Sequence, residues 1–538
     1  MDNSETASAG RAAAHGPGTV LVLGASGYVG GRLVPLLLEK GWHVRAAGRS
    51  AEKLRCRPWA AHPACSITEA DARDAGSLLQ AMRGCEAAYY LVHSMSPGGR
   101  GFEGADRQAA CAMVEAANAS AAESTAADGG SGLRRIIYLS GLVPDDPQLS
   151  AHLRSRAEVA RILALGRVPV TTLRAAQILG SGSASFEILR YLADRLPVMI
   201  TPRWVRTQTQ PIAVSDVLAY LAGCLEHPET TGRTYDIGGP DILSYTELFA
   251  LYADVAGLRR RVIIPVPFLS PALSAHWLNV VTPVPRALAA PLVEGLRNRV
   301  VCAENSIRDV IPLQLTDCRT AISMALDKVR QHAVATCWTD AGAITRPEWL
   351  AEGDASYAGG TVLQDGYSMR VAASPEAVWE PVRRIGGETG WYYDDWLWRL
   401  RGLLDKLAGG VGARRGRRHP VDLRVGDALD FWRVLSVRHA EHLLLLAEMK
   451  VPGEAMLEIR VVPVGAQTEL RMRAWFLPRG LWGLAYWYLV YPLHGLVFKG
   501  MLRALGRKAG ADGSAPVRKL PPEDPAACRL PTDGGSAR

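Results

Sequence analysis

The sequence has no CxxC pair and no cysteine–histidine spacing of the kind that holds zinc, although nine cysteines are scattered from Cys56 to Cys528. An odd, unpatterned set excludes a disulfide framework and points to reduced thiols in a cytoplasmic compartment. Residues 1–17 carry early acids and lack the apolar core of a signal peptide, so they read as a short disordered arm. No internal repeat of fixed period is visible, which excludes a solenoid. Charge of one sign is also scarce: 61 Lys and Arg stand against 53 Asp and Glu, a formal charge of +8 over 538 residues. That excess favours acidic small ligands or anionic surfaces but is too small for a nucleic-acid partner, which is excluded. Residues 480–498 lack Asp, Glu, Lys and Arg altogether, close to a membrane-spanning length. Pro492, His494, three glycines and several Trp and Tyr in that stretch argue for a buried or interfacial helix instead.

What is present is apolar patterning, at 48% of all residues, enough for packed cores. From Thr19, short apolar runs alternate with longer helical patterns, the signature of βαβ units. TVLVL, HVRAAG, AAYYLV, RRIIYLS and VPVTTLR are predicted strands of a doubly wound Rossmann-type parallel sheet, in an α/β domain over residues 18–330. A linker is expected over 331–360. In "SPEAVW", Ser374, Pro375 and Glu376 give three agreeing helix-start signals. ALDFWRVLSV, HLLLLAEMK, AMLEIRVVPV and TELRMRAWF then predict an antiparallel meander, closed by a long apolar helix kinked at Pro492. This second domain, α+β, spans 361–508, and residues 509–538 read as a disordered tail.

"GASGYVG" sets Gly24, Gly27 and Gly30 between the strand TVLVL and a helix from about Tyr28 to Lys40, with Ser26, Tyr28 and Val29 completing the loop. Gly24 permits the tight turn, Gly27 lets backbone approach a pyrophosphate, and Gly30 allows close helix–strand packing. The helix amino terminus then offers amides to the phosphates. Pro35 should bend this helix. At the end of the second strand, "AAGRS" has no acid to read a ribose. Arg49 stands there, and with Lys53 one turn on it suits the 2′-phosphate of NADP, with NAD left open as the cofactor. A solvated basic loop is the plainer alternative. Asp71, in "DARD", would lie against the adenine.

GASGYVG, DARD, "YYLVHSM", "IYLSGL" and "YDIGGPDILSYTE" together make residues 19 to about 330 resemble an atypical, extended-type short-chain dehydrogenase of the NmrA-like group. With "GSGSASFE", "LPVMITPRWVRTQTQPIAVSDV" and "GGVGARRGRRHP", the whole chain resembles YbjT-like bacterial proteins, in which such a domain precedes one of unknown function. The resemblance implies NAD(P) binding, with Leu91 and Val92 at the cofactor, more firmly than it implies a reaction. The family's active members carry a serine, and a tyrosine followed four residues later by a lysine. Ser140 matches the serine, but the other positions hold His152 and Arg156.

On a helix turning about 100° per residue, His152, Arg156, Val159 and Leu163 share a narrow arc. Arg154, Glu158 and Arg161 lie opposite, with Glu158 placed to pair with both arginines. His152 and Arg156 therefore point inward, as catalytic groups or as packed ones. A protonated His152 could give a proton to a developing alkoxide beside Ser140, whereas Arg156 could only bind ribose or phosphate. His93, at the carboxyl edge of the fourth strand, is a second candidate donor, and Gln177 and Phe186 are placed near the substrate.

The second domain resembles the helix-grip (START-like) class, which implies an apolar cavity. Trp391, Tyr392, Tyr393, Trp396 and Trp398 are read as core or as cavity lining. Asp394 and Asp395 read as solvated. Arg414, Arg415, Arg417 and Arg418 form a solvated loop or an anion and membrane-surface contact. The function expected is that of an NADP-dependent oxidoreductase acting on a small apolar carbonyl or quinone-like compound. The alternative is a non-catalytic NADP-sensing or hydrophobic-ligand-binding protein. The location is cytoplasmic, with peripheral membrane contact through the second domain left open. Nothing in the sequence fixes the oligomeric state.

Overall fold

The computed structural model describes residues 18–92, 102–126, 132–144, 149–266, 294–295, 297–330, 362–407, 410–412, 417–511 and 515–523. The chain begins β1 (Thr19–Leu23), α1 (Gly30–Glu39), β2 (His43–Gly48), α2 (Ala51–Arg55), β3 (Cys65–Glu69), α3 (Ala75–Met82), β4 (Ala87–Tyr90), α4 (Phe102–Ala126), β5 (Arg135–Gly141), α5 (Ala151–Leu163) and β6 (Val170–Ala175). With β7 (Thr234–Ile237), these strands form one parallel sheet in the order β7-β6-β5-β4-β1-β2-β3. Both faces are covered, which is why β1 is apolar at each position from Val20 to Leu23 rather than alternating. Val20 and Val22 pack with Leu33, Val34 and Leu37 of α1, whereas Leu21 and Leu23 face Met82, Met113 and Val159 on the other side. The strand order reverses between β1 and β4, so the crevice for ligands lies at the carboxyl ends of those strands.

Among the described residues this part of the chain also holds the longer helices α6 (Ala184–Arg195), α7 (Val214–Glu226), α8 (Tyr245–Val255) and α9 (Cys318–Arg330). Helices α6, α8 and α9 share a core that includes Phe186, Leu248, Tyr252 and Ile322. Ser244 and Glu247 close α8 with a capping box.

The second sheet is antiparallel, in the order β9-β10-β11-β12-β13-β8-β14. Its elements run β8 (Leu363–Val371), α10 (Pro375–Arg383), α11 (Asp395–Leu407), β9 (Ala428–Leu429), β10 (Trp432–Arg438), β11 (His442–Ala447), β12 (Gly453–Val464), β13 (Gln467–Pro478), α12 (Gly480–Lys508) and β14 (Val517–Lys519). Ser374 caps α10 by accepting from the Ala377 amide, with Pro375 in the first turn. Two strands depart from expectation. β8, in a stretch with no strand predicted, pairs with β13 from Leu363↔Phe476 to Val371↔Thr468. β14 falls in the expected disordered tail and pairs with β8 from the other side. Helix α12 runs through Pro492 as one helix and packs Phe498, Met501, Leu502 and Leu505 with Met369, Val371 and Met472 of the sheet. Among the described residues no helix is long and apolar enough to cross a membrane.

Candidate functional site

The glycine loop sits at the crevice. Gly24 has φ +93°, and a methyl group there would come 2.8 Å from the Leu91 carbonyl oxygen. At Gly30 a methyl would come 2.3 Å from the Gly24 carbonyl oxygen, so both positions demand glycine. At Gly27 a methyl would meet the Gly24 carbonyl oxygen at 3.2 Å, a tight contact but a milder one than at the other two glycines. Ser26, Tyr28 and Val29 lie between, with Val29 as the helix N-cap. A glycine turn before a helix amino terminus fits a dinucleotide pyrophosphate. Leu91 and Val92 follow β4 next to the loop, half-buried, and the Leu91 amide donates to Leu23.

At the ribose end, Arg49 is exposed just beyond β2 and lies in the field of Asp71 and Arg73. Asp71 is bound by Arg73, Nη2 to Oδ2 at 2.9 Å, and this bond holds its carboxyl below the usual range. Lys53 is not at the surface. It is 4% exposed, and its stem lies against Gly426 of the second domain, where a methyl would meet Lys53 Cε at 2.6 Å. Arg57 was not singled out in the sequence. Its guanidinium is buried and donates to the Ser26 carbonyl at 3.0 Å, while Trp59 donates to Gly31 at 3.2 Å. The Pro58–Ala61 turn thus braces the glycine loop from outside.

Helix α5 places the His152 to Arg156 stretch as its periodicity predicts on one point and differently on others. Arg156, Val159 and Leu163 are buried, and Arg154 and Arg161 are exposed. Glu158, however, pairs with Arg107 of α4 at 2.7 Å instead of bridging its own helix. Arg156 is bound to Asp106 of α4, a residue absent from the sequence-based site. The Ser155 hydroxyl donates to the same carboxylate at 2.8 Å. Ser140 is buried near the end of β5 beside the Tyr138 hydroxyl, two residues earlier on the same strand face, which also neighbours Arg156. Burial, reinforced by Arg156, pushes His152 down to about 4, so its imidazole is neutral at pH 7. The expected protonated donor is therefore corrected to a neutral ring, because a second positive charge beside buried Arg156 is unfavourable.

His93, with Ser94 and Met95, lies outside the described residues. Gln177 follows β6 at the crevice edge, and its buried Oε1 has no hydrogen-bond partner among the described residues, which suits a ligand donor. Phe186 does not face the crevice. It is fully buried against Tyr252, with ring centroids 6.2 Å apart. What ties this segment to the glycine loop is Arg32, which donates to the Ser181 carbonyl at 2.7 Å and stacks over the Tyr28 ring.

In the second domain, Trp391 stacks on Trp398 at 4.9 Å and on Phe431 at 6.2 Å. Beside them lies a cavity of about 620 Å³ lined by Trp391, Trp398, Leu400, Leu403, Lys406 and Asp430. Burial raises Asp430 to about 6, although Trp391 Nε1 donates to it at 2.9 Å. Asp395 is not free in solvent, since its carboxylate accepts the Trp391 amide at 2.7 Å. Arg414 and Arg415 lie outside the described residues. Arg417 is spent on the carbonyls of Ile385 and Val421, and Arg418 on Asp427 at 2.9 Å, so neither is a solvated charge.

Residues 24–190 match a family model described as NAD(P)H-binding, and residues 357–501 match one described as a protein of unknown function, DUF2867. Over 83 residues the chain is 40% identical to the dihydroflavonol 4-reductase of Zea mays, a match covering 14% of this chain and 23% of that protein. It thus spans under a quarter of that relative. It is 25% identical over 314 residues to the NADH dehydrogenase (ubiquinone) 1 alpha subcomplex subunit 9 of Arabidopsis thaliana, 55% of this chain and 74% of that one. An NADPH-dependent quinone oxidoreductase of Escherichia coli, solved with NADPH, is 20% identical with a TM-score of 0.45, covering 56% of this chain and 98% of that one. The chain therefore combines a Rossmann-type parallel sheet, over part of which it matches the NAD(P)H-binding model, with a following antiparallel domain that matches the DUF2867 model.

Proposed function

We propose that the protein is an NADP-dependent oxidoreductase that reduces a small apolar carbonyl of the quinone type. The observation that carries the cofactor preference is Arg49, exposed at the ribose position with no acid in its place. A 2′-phosphate there would take a charge-assisted hydrogen bond from the guanidinium. Bound NADPH would supply the hydride, and the chain's own groups hold it. The glycine turn and the start of α1 receive the pyrophosphate, Arg57 fixes the Ser26 carbonyl, and Gln177 offers an unpaired acceptor at the crevice edge.

The substrate class follows from what the proton donors lack. His152 is neutral at pH 7, and Arg156 is committed to Asp106. Hydride addition to an ordinary aldehyde leaves an alkoxide as basic as hydroxide, near the water value of about 15.7, which needs a strong donor. Hydride addition to a quinone leaves a phenolate-like oxygen with a pKa of about 10. Ser140 and a neutral imidazole N–H can stabilise the second far more adequately than the first. The Arabidopsis relative carries ubiquinone in its name, which agrees with this class. The Trp391/Trp398 cavity would receive a hydrophobic ligand in the second domain. The test is NADPH consumption by the full-length protein with a quinone series and an aliphatic aldehyde series. Quinones should turn over at least tenfold faster, by the two-to-four-decade worth of general acid catalysis, about 10² to 10⁴. Faster aldehydes would refute the donor argument, and binding without consumption would favour NADP sensing.

A further inference from the structure

Two helices of the second domain turn apolar side chains to solvent, each along one face. On α11 these are Trp396, Leu400, Leu403, Leu404 and Leu407. Spacings of three and four residues put all five on one stripe. On α12 they are Leu481, Trp482, Tyr488, Leu489, Leu493 and Leu496, again one stripe, about 22 Å long at about 1.5 Å per residue. These 11 are the majority of the 18 large exposed apolar side chains in the described structure, so the exposure is concentrated rather than scattered. The opposite face of α12 is already used, through Phe498, Met501, Leu502 and Leu505, to cover the sheet. From Gly480 to Phe498 helix α12 carries no Asp, Glu, Lys or Arg on any face, which suits a helix segment between two apolar surroundings. The two helices adjoin, with the Arg401 guanidinium 5.5 Å from the centroid of the Tyr486 ring.

The charges that the two helices expose are basic, with Glu388 the exposed acid at the cavity beside α11. Helix α12 contains no Asp or Glu. The two acids of α11 are turned away, because Asp395 accepts the Trp391 amide and Asp405 accepts the amides of Gly412 and Lys450 at 2.7 Å. Arg399, Arg503, Arg507 and Lys508 remain exposed. Trp396, Trp482 and Tyr488 are residue types that settle at headgroup depth. Apolar stripes with aromatic anchors and a cationic border match an anionic bilayer surface, and neither helix is long and apolar enough to cross one.

We propose that α11 and α12 together dock the protein peripherally on membranes containing anionic lipid. Docking would also bring the Trp391/Trp398 cavity to the headgroup layer, since Leu400 and Leu403 belong to both the cavity wall and the stripe.

Flotation of the full-length protein with vesicles tests this. With phosphatidylcholine plus phosphatidylglycerol the protein should rise with the lipid, and with phosphatidylcholine alone it should bind less. Trp482→Ser and Leu489→Ser alter side chains that are 83% and 77% exposed, so the fold and NADPH binding should be retained. Each should weaken vesicle binding by about tenfold or more, from the apolar burial lost. A parent protein that stays with the buffer, or variants that float like the parent, would overturn the proposal. So would a concentration-dependent dimer in ultracentrifugation that the same variants abolish, because the stripes would then be covered by a second copy.

Discussion

Replacing Asp106 by alanine strips the carboxylate that is ion-paired with Arg156, and the size of the loss can be worked out. The pair is sealed, with side-chain exposures of 6% for Arg156 and 3% for Asp106. Two charges about 4 Å apart at an effective dielectric of about 20 attract by about 4 kcal/mol. The Ser155 hydroxyl adds a hydrogen bond worth about 1 kcal/mol. Removing one partner of a buried pair costs about 3–5 kcal/mol, chiefly because the remaining charge is stranded. Asp106→Ala should therefore destabilise the dinucleotide-binding domain by about 4 kcal/mol. The double change Asp106→Leu with Arg156→Met removes both charges and should return to within about 2 kcal/mol of the parent. Urea dependence of amide hydrogen exchange in β4 and β5 reads this domain separately from the second one. A single variant within about 1 kcal/mol of the parent would refute the reasoning, as would a double variant no better than the single one. Either result would return Arg156 to the cofactor.

Arg49→Ala should remove most of any preference for NADPH over NADH, a loss of about 1.5–3 kcal/mol from one charge-assisted bond, measured by fluorescence titration with both nucleotides. Gly30→Ala forces a methyl to 2.3 Å from the Gly24 carbonyl oxygen, so calorimetry should find no NADPH binding even where circular dichroism shows a folded chain. Stability should fall in acid through His152. Its folded value of about 4 lies below the ordinary value of 6.5, so the unfolded chain takes up the proton first. The contribution is complete above about pH 6.5 and is lost toward pH 4, by about 3 kcal/mol at most. Urea titrations of His152→Gln should show a shallower decline across that window, and parallel curves would contradict the assignment.

Local patterns were the legible part of this molecule. β2 is found at His43–Gly48, the stretch HVRAAG read as a strand, and the caps at Ser374 and the glycine turn are set by neighbours within a few residues. Partners distant along the chain were not legible. Asp106 lies 50 residues from Arg156 on a helix whose pattern carries no motif, and Glu158 finds Arg107 because α4 packs beside α5. Strand β14 has only three residues and no apolar run, so its pairing with β8 depends on a sheet edge that only the folded domain creates. Lys53 was read as a phosphate ligand from spacing alone, while its burial comes from a turn of the second domain. The arginines at 417 and 418 look solvated in sequence because neither the carbonyls that Arg417 binds nor the Asp427 carboxylate that Arg418 binds forms a recognisable motif with them.

The most direct measurement is a single-turnover experiment in which purified full-length protein, loaded with NADPH or NADH, is mixed with menadione and the nicotinamide absorbance is followed. The account predicts stoichiometric loss of NADPH with formation of the hydroquinone, and slower or weaker reaction from NADH. Bound NADPH that persists unoxidised in the presence of the quinone, or equal reaction from both nucleotides at equal concentration, would contradict it.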